Sequence, residues 1–87
     1  MHQVKKLLLK AKNAPNNFSF SELCALAEGA GFEFKRQNGS HKIYKNNEIK
    51  AEDCIMPVQD YNGKAKPYQV RQLLSLIDKY ELIKEVD

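Results

Sequence analysis

The side chain best suited to acid–base chemistry in this 87-residue chain is His41, which directly follows Gly39 and Ser40. Histidine is the residue whose charge ordinarily changes near neutral pH, so an imidazole can both take up and release a proton under physiological conditions. Such a group could accept a proton from a ribose 2′-hydroxyl or donate one to a leaving oxygen. The spacing leaves another interpretation open, because His41 could also be a buried core residue with satisfied hydrogen bonds.

Few other reactive groups accompany His41. The second histidine, His2, lies at the N-terminus and is expected to be inert, so a two-histidine acid–base pair is excluded. Cys24 and Cys54 lie in apolar stretches, and we interpret both as buried free thiols that act as small hydrophobes. No cysteine or histidine spacing is typical of zinc, and no carboxylate cluster is typical of another metal. We therefore expect neither a metal nor a cofactor.

The charged residues are unevenly distributed along the chain. Lysine and arginine number 14 against 11 aspartate and glutamate, which gives a net charge of +3. The middle of the chain is basic and its end is acidic, a distribution that favours a polyanion-binding face. The alternative is that these lysines form the solvated outer face of a small sheet. The basic residues of the middle are Lys35, Arg36, Lys42, Lys45, Lys50, Lys64 and Lys66.

Apolar residues at helical spacing predict three helices. Ser19 or Ser21 can cap the second helix, and Glu22 completes a Ser-x-x-Glu capping box if Ser19 is the cap. Gly29 and Gly31 end that helix, since glycine tolerates the left-handed backbone beyond a helix end. The predicted helices cover about residues 3–12, from 19 or 21 to 29, and about 67–80.

Alternation of apolar and polar residues predicts three strands between the second and third helices. They cover residues 32–37, 40–45 and 54–58, and Asn38-Gly39 is the hairpin turn between the first two. Pro57 cannot donate a ladder hydrogen bond, so the third strand is expected at a sheet edge. In the second strand, alternation places Ser40, Lys42 and Tyr44 on one face and His41, Ile43 and Lys45 on the other.

These elements predict an α+β fold with the order α-α-β-β-β-α, in which a three-stranded antiparallel sheet is packed on helices. The second and third helices have apolar stripes suited to cover one face of the sheet, and the other face remains open. With 87 residues, the chain fits a single domain spanning positions 1–87. No apolar run is long enough to cross a membrane or to form a signal-peptide core, so we expect a cytoplasmic protein with no membrane partner.

Three segments of the sequence resemble the HicA toxins. Residues 31–44, GFEFKRQNGSHKIY, resemble the central motif of that family, a glycine-aromatic strand followed by Arg-Gln-x-Gly-Ser-His. Residues 63–72, GKAKPYQVRQ, are similar to the segment that opens the last helix in one branch of the family, and residues 17–26, NFSFSELCAL, also resemble that branch. The resemblance covers nearly the whole chain in the same order.

The resemblance implies a double-stranded-RNA-binding-like fold and an mRNA interferase, an endoribonuclease that is held in check by a HicB-type antitoxin. The family's catalytic histidine maps onto His41, and its Gly-Ser lead-in maps onto Gly39 and Ser40. Many members carry a second histidine directly after the first, and this chain has Lys42 there. Residues 46–61 match more loosely, so the resemblance assigns no site within them.

The leading hypothesis is therefore a metal-independent endoribonuclease that cuts mRNA with His41 as its acid–base group. A non-catalytic RNA-binding module is the alternative, and a protein-interaction domain is a third. Exposure of His41 beside basic side chains would favour the enzyme, whereas burial among Phe32, Leu73 and Ile77 would favour the other two. The residues expected to contact RNA are Arg36, Gly39, Ser40, Lys42, Lys45, Lys64 and Lys66, the last two meeting phosphate at the start of the final helix.

The basic middle of the chain also predicts how the antitoxin binds. Charge complementarity calls for an acidic antitoxin segment that covers His41 and the lysines around it. Strand addition at residues 54–58 is the second possibility, and Pro57 makes it the weaker one.

Overall fold

The helices and strands follow one another in the predicted order. The computed structural model describes residues 4–83, and the predicted helix start at position 3, His2 and the acidic residues Glu85 and Asp87 lie outside that range. The elements are α1 (Val4–Asn13), a 3₁₀ turn (Pro15–Asn17), α2 (Phe20–Gly29), β1 (Glu33–Asn38), β2 (His41–Lys45), β3 (Ile55–Gln59) and α3 (Pro67–Tyr80). The predicted α+β class and the α-α-β-β-β-α order are confirmed.

Ser19 is the residue that caps α2. Its hydroxyl accepts a hydrogen bond from the Glu22 backbone N–H at 3.0 Å, and Glu22 Oε1 accepts one from the Ser19 backbone N–H at 2.9 Å. The predicted capping box is thus present with Ser19, not Ser21, as the cap. Lys10 of α1 donates to Glu22 at 2.8 Å. This ion pair, together with the Ser19 backbone, holds the pKa of the Glu22 carboxyl below its usual value and ties α1 to α2.

The three strands form an antiparallel meander with the order β1-β2-β3. The hairpin turn lies one residue later than predicted, because Asn38 stays in β1 opposite His41 and Gly39-Ser40 forms the turn. Gly39 has a φ of 65°, so positive φ falls on the first central residue, as in a type II′ turn. The predicted third strand is also shifted by one residue. Cys54 precedes β3, and Gln59 belongs to it.

The covered face of the sheet supplies the core with side chains from β2 and β3. Tyr44, Met56 and Val58 are all almost completely buried. β1 contributes no buried side chain, and its Phe34 remains half-exposed while packing edge-on against Tyr44 at 5.8 Å between ring centroids. Phe32, which lies just before β1, is the aromatic residue of this segment that enters the core.

The helical layer contains α1 as well as the two helices expected to cover the sheet. α2 contacts β1 and β3, and α1 packs against both α2 and α3. Leu8 and Ala11 are the buried residues of α1, while α3 contributes Val70 and Leu73 to the same core. No helix within residues 4–83 is long and apolar enough to cross a membrane.

The two cysteines differ in their surroundings. Cys24 is buried as predicted, and burial raises the pKa of its thiol, which keeps it protonated. The prediction of a buried Cys54 is wrong, because this residue lies before β3 and is only half-buried. Its thiol donates to the Ala51 carbonyl at 3.3 Å. Neither environment is typical of a reactive thiolate.

The segment between β2 and β3 is attached to the C-terminal ends of α2 and α3. Asn46, which is buried, donates from Nδ2 to the Ala30 carbonyl at 3.3 Å. Asp53 accepts from the Tyr80 hydroxyl at 2.6 Å and from Lys79 at 2.9 Å. These two donors lower the pKa of the Asp53 carboxyl. The connection is therefore fixed at the end of the sheet opposite the Gly39-Ser40 turn.

Candidate functional site

His41 lies on the face of the sheet that the helices leave uncovered. Residues directly opposite each other in neighbouring strands share a face, and His41 lies opposite Asn38 of β1 and Gln59 of β3. The residues on this face are exposed or half-buried. We call them the open sheet face, and they are Glu33, Arg36, Asn38, His41, Ile43, Lys45, Ile55, Pro57 and Gln59.

The imidazole of His41 is exposed at the start of β2. Phe32, Leu73 and Ile77 are buried in the core beneath the opposite face, so His41 is not a core histidine. No side chain or backbone group within residues 4–83 makes a hydrogen bond to the imidazole. Both ring nitrogens are therefore available to a ligand, which is the outcome that favours an enzyme over the two other hypotheses.

Two amide side chains flank His41 that sequence reasoning did not identify. Asn38 lies opposite His41 because the two residues enclose the Gly39-Ser40 turn, and a correct placement of that turn would have revealed the pair. Gln59 lies on the other side of His41, and its Nε2 donates to Ser40 Oγ at 3.5 Å. Nothing local in the sequence pairs position 59 with position 41. These amides can donate hydrogen bonds to an anionic ligand without carrying charge themselves.

Arg36 and Lys45 are the predicted RNA-contacting side chains that share the face of His41. Arg36 lies opposite Ile43, the residue two positions beyond His41. Its guanidinium forms no ion pair with any residue that the structure describes. Lys45 lies opposite Glu33, which also bonds Lys35 at 3.4 Å. Neither cation forms a side-chain ion pair among the described residues, and Arg36 lies nearer than Lys45 to His41 along the sheet.

Lys42, Lys64 and Lys66 lie away from the open sheet face, and we call them the helix-side lysines. Lys42 points toward the helices, with its ammonium 5.6 Å from the centre of the Phe20 ring. Lys64 pairs through its backbone with Ser19, just before α2. Lys66 is the N-cap residue of α3. The predicted basic set is therefore divided between two sides of the sheet.

The loop that leads into α3 is bonded to the Gly39-Ser40 turn. The Asp60 backbone N–H donates to the Ser40 carbonyl at 2.9 Å. Farther along the loop, the Phe20 N–H donates to the Gly63 carbonyl at 2.9 Å and the Ala65 N–H to the Phe18 carbonyl at 3.0 Å. These bonds bring Ser40, the start of α2 and the start of α3 to one end of the molecule.

Gln69 of α3 caps the outer edge of β3. The ladder with β2 uses the backbone groups of residues 54, 56 and 58, so those of Pro57 and Gln59 point outward. The buried side chain of Gln69 accepts from the Gln59 N–H at 3.0 Å and donates to the Pro57 carbonyl at 3.3 Å. β3 is therefore an edge strand, as Pro57 predicted, and this part of its edge is occupied.

Metal-binding side chains do not gather in the part of the chain that the structure describes. Across residues 4–83, no three histidine, cysteine, aspartate or glutamate side chains form a group that could hold a metal ion. His41 stands among amide, apolar and basic side chains instead.

Comparison with known protein families shows to which family the chain belongs. Residues 20–78 match the family model described as HicA toxin of bacterial toxin–antitoxin. The chain belongs to the HicA toxin family. It is therefore a toxin of the toxin–antitoxin class, as the three resembling segments indicated. The match contains His41 and every predicted RNA-contacting residue, whereas α1 and the Pro15–Asn17 turn precede it. No match was found among curated proteins or among solved structures.

The amide cap on β3 generates a stability prediction. Gln69→Ala removes both part-buried hydrogen bonds to the edge of β3, which is expected to cost about 1–3 kcal/mol in total, at about 0.5–1.5 kcal/mol for each bond. Gln72→Ala removes an exposed glutamine from the same helix and is expected to change stability by less than about 0.5 kcal/mol. Urea unfolding of both variants measures the difference. Equal losses in the two variants would contradict a stabilising role for the cap.

Proposed function

We propose that this HicA-family toxin is an endoribonuclease that cleaves mRNA with His41 as its acid–base group. The observation that carries the proposal is the exposed imidazole, which has no hydrogen-bond partner within residues 4–83 and shares its sheet face with Arg36. A structural histidine would be expected to bond to neighbouring groups, whereas a catalytic one must leave a ring nitrogen free for the substrate.

The proposed reaction uses the ribose 2′-hydroxyl as nucleophile. His41 takes the 2′-hydroxyl proton as the oxygen attacks the adjacent phosphorus, or it protonates the departing 5′-oxygen. The new bond joins the 2′-oxygen to phosphorus, the bond between phosphorus and the 5′-oxygen breaks, and the products carry a 2′,3′-cyclic phosphate and a 5′-hydroxyl. One imidazole serves one of these proton transfers, and water serves the other. The nucleophile belongs to the substrate, so we propose that the reaction is metal-independent.

The groups around His41 are suited to a phosphate that gains charge during this reaction. Arg36 can bind two phosphate oxygens at once through its planar guanidinium. Asn38 and Gln59 lie directly on either side of the imidazole and can donate from their amides. The strand pairing fixes the backbone positions of these residues around His41, so their donors lie close to where the charge develops. Gly39 and Ser40 shape the turn that holds His41 at the start of β2.

The catalytic role predicts the behaviour of His41→Ala. Removing a general acid–base group ordinarily lowers the rate by about 10²–10⁴-fold, and an exposed position predicts an unchanged fold. RNA cleavage by the purified variants, with thermal unfolding as the check on folding, provides the measurement. A chelator is expected to leave the wild-type rate unchanged.

The matched control is His2→Ala, which removes the other histidine of the chain and is expected to retain full activity. Cleavage by His41→Ala at the wild-type rate would sink the catalytic assignment. RNA binding without cleavage by the wild-type chain would instead support the alternative, a non-catalytic RNA-binding module.

The basic side chains are proposed to bind RNA mainly through its phosphates. Each lysine that neutralises one phosphate adds about 0.7–0.9 to the slope of log affinity against log salt concentration. We expect Lys45→Ala and Lys64→Ala, measured by RNA titration in a His41→Ala background, each to flatten that slope by about one unit at most. Lys50→Ala is the control, because Lys50 lies near Asp53 at the opposite end of the sheet. An affinity for RNA that does not change with salt would count against this surface.

We also propose that a HicB-type antitoxin silences the toxin by covering the open sheet face. That face combines Arg36 and Lys45 with the apolar residues Ile43 and Ile55, the latter 49% exposed. An acidic segment with a few apolar side chains would complement it. Strand addition at β3 is less favoured, because Gln69 already binds the outward groups of Pro57 and Gln59.

Occlusion of this face predicts which charge reversals weaken the complex. Arg36→Glu and Lys45→Glu are expected to raise the dissociation constant of the antitoxin complex, since like charges then face each other. Lys50→Glu changes the same charge outside the face and is expected to have little effect. Titration calorimetry measures all three. Equal effects of the three variants, or a complex that still binds RNA, would rule out occlusion at this face.

A further inference from the structure

Tyr61 is an exposed aromatic side chain beside the end of the sheet that carries His41. It lies two residues beyond Gln59, the residue opposite His41, and 59% of its surface is exposed. The Asp60 N–H donates to the Ser40 carbonyl, so the pairing between β2 and β3 continues one residue beyond His41 and Gln59. The backbone of Tyr61 therefore lies at the same end of the sheet as His41, and its ring is exposed.

The turn that carries Tyr61 is held by several hydrogen bonds. Tyr61 and Lys64 exchange both backbone bonds, at 3.1 and 2.9 Å. Asn62 and Gly63 have φ values of 53° and 82°, and two positive values in the centre are typical of a type I′ turn. Asp60 Oδ1 also accepts from the Gly63 N–H at 2.7 Å. A ring fixed to such a turn loses little conformational freedom when it binds a ligand.

A cation accompanies this ring. The ammonium of Lys66 lies 5.6 Å from the centre of the Tyr61 ring, and the exposed Lys64 closes the turn. Aromatic rings that stack on bases, set beside cations that attract the backbone, are the features with which proteins bind single-stranded nucleic acid. The second exposed tyrosine, Tyr68, has no such cation beside it among the described residues.

We propose that Tyr61 stacks on an unpaired base next to the phosphate held at His41, while Lys66 attracts the adjoining phosphate. The inference rests on the proposed function and specifies its substrate as single-stranded RNA. In a duplex, neighbouring bases already stack on one another and are not available to a protein ring, whereas bases of single strands and loops can turn outward. The helix-side lysines then bind backbone on either side of the stacked base.

The test is RNA binding by proteins that carry His41→Ala, so that cleavage does not disturb the measurement. Each protein is titrated with a short single-stranded RNA and with the same RNA annealed to its complement. Adding Tyr61→Ala is expected to weaken single-strand binding by about 5- to 150-fold, the range for loss of one base–aromatic stack. Duplex affinity is expected to change by less than about twofold, since phosphate contacts dominate there.

Two variants and an RNA series control the interpretation. Tyr61→Phe keeps the ring and is expected to keep the affinity. Tyr68→Ala removes a tyrosine of nearly equal exposure, 57%, and is expected to change neither affinity. RNAs with a single abasic nucleotide locate the stacked base. The RNA that lacks the stacked base should bind the protein that keeps Tyr61 about as weakly as the intact RNA binds the Tyr61→Ala protein. Adding Tyr61→Ala should not weaken the binding of that abasic RNA any further, because both changes remove the same contact.

Three results would overturn the proposal. The first is an equal loss of single-strand and duplex binding in Tyr61→Ala, and the second is a loss of affinity in Tyr61→Phe as large as that in Tyr61→Ala. The third is a Tyr61→Ala protein that binds RNA normally but binds the antitoxin more weakly, which would assign the ring to the protein partner. If Tyr61→Ala fails to fold, Tyr61→Phe and the abasic series still decide.

The experiment separates this proposal from the ribonuclease assignment. If single-strand binding depends on Tyr61 but the wild-type chain does not cleave RNA, the proposed stacking site is supported and the ribonuclease assignment is wrong. If cleavage depends on His41 but Tyr61→Ala binds RNA with full affinity, the ribonuclease assignment is supported and the stacking proposal is wrong.

Discussion

The pairing register of β2 is the constraint on which the candidate site depends. Because side chains alternate across a strand, burial of Tyr44 against the helices forces His41 onto the opposite face. Met56 and Val58 of β3 require the same face of the sheet to be buried, since both fill the core beneath it. A slip of one residue would expose these side chains and bury the imidazole. The hydrophobic core therefore fixes the exposure of the group proposed to do the chemistry.

The same register determines how β3 ends and what can approach it. Pro57 occupies a position whose backbone points away from β2, so its missing N–H removes no ladder bond. Gln69 then satisfies the Pro57 carbonyl and the Gln59 N–H, which also fixes the first turn of α3 beside the strand. An edge closed in this way discourages pairing with another chain. The other edge of the sheet is β1, whose residues are all exposed.

The division of basic side chains between two sides of the sheet bears on the proposed function. Arg36 and Lys45 lie with His41, whereas the helix-side lysines lie near the starts of α2 and α3. Under that proposal, an RNA strand that contacts both groups passes across the Gly39-Ser40 turn, and its backbone then runs past His41. Tyr61 lies along the same route. The turn between β1 and β2 therefore sets the positions of the site residues as well as the geometry of the hairpin.

The sequence by itself determined the helices, the strand order, the α+β class, a helix cap at Ser19 or Ser21, and the placement of His41 and Lys45 on one face. These features follow from periodicity and turn chemistry, which act between residues close in the chain. Only the tertiary structure decided that Gly39-Ser40 forms the turn, that the uncovered face is the one with His41, and that Asn38 and Gln59 flank the imidazole. It also set the Lys42 ammonium over the Phe20 ring and brought Tyr61 near Ser40. Such neighbours depend on strand register and on which face the helices bury, and both are set by packing of the whole core rather than by any local pattern.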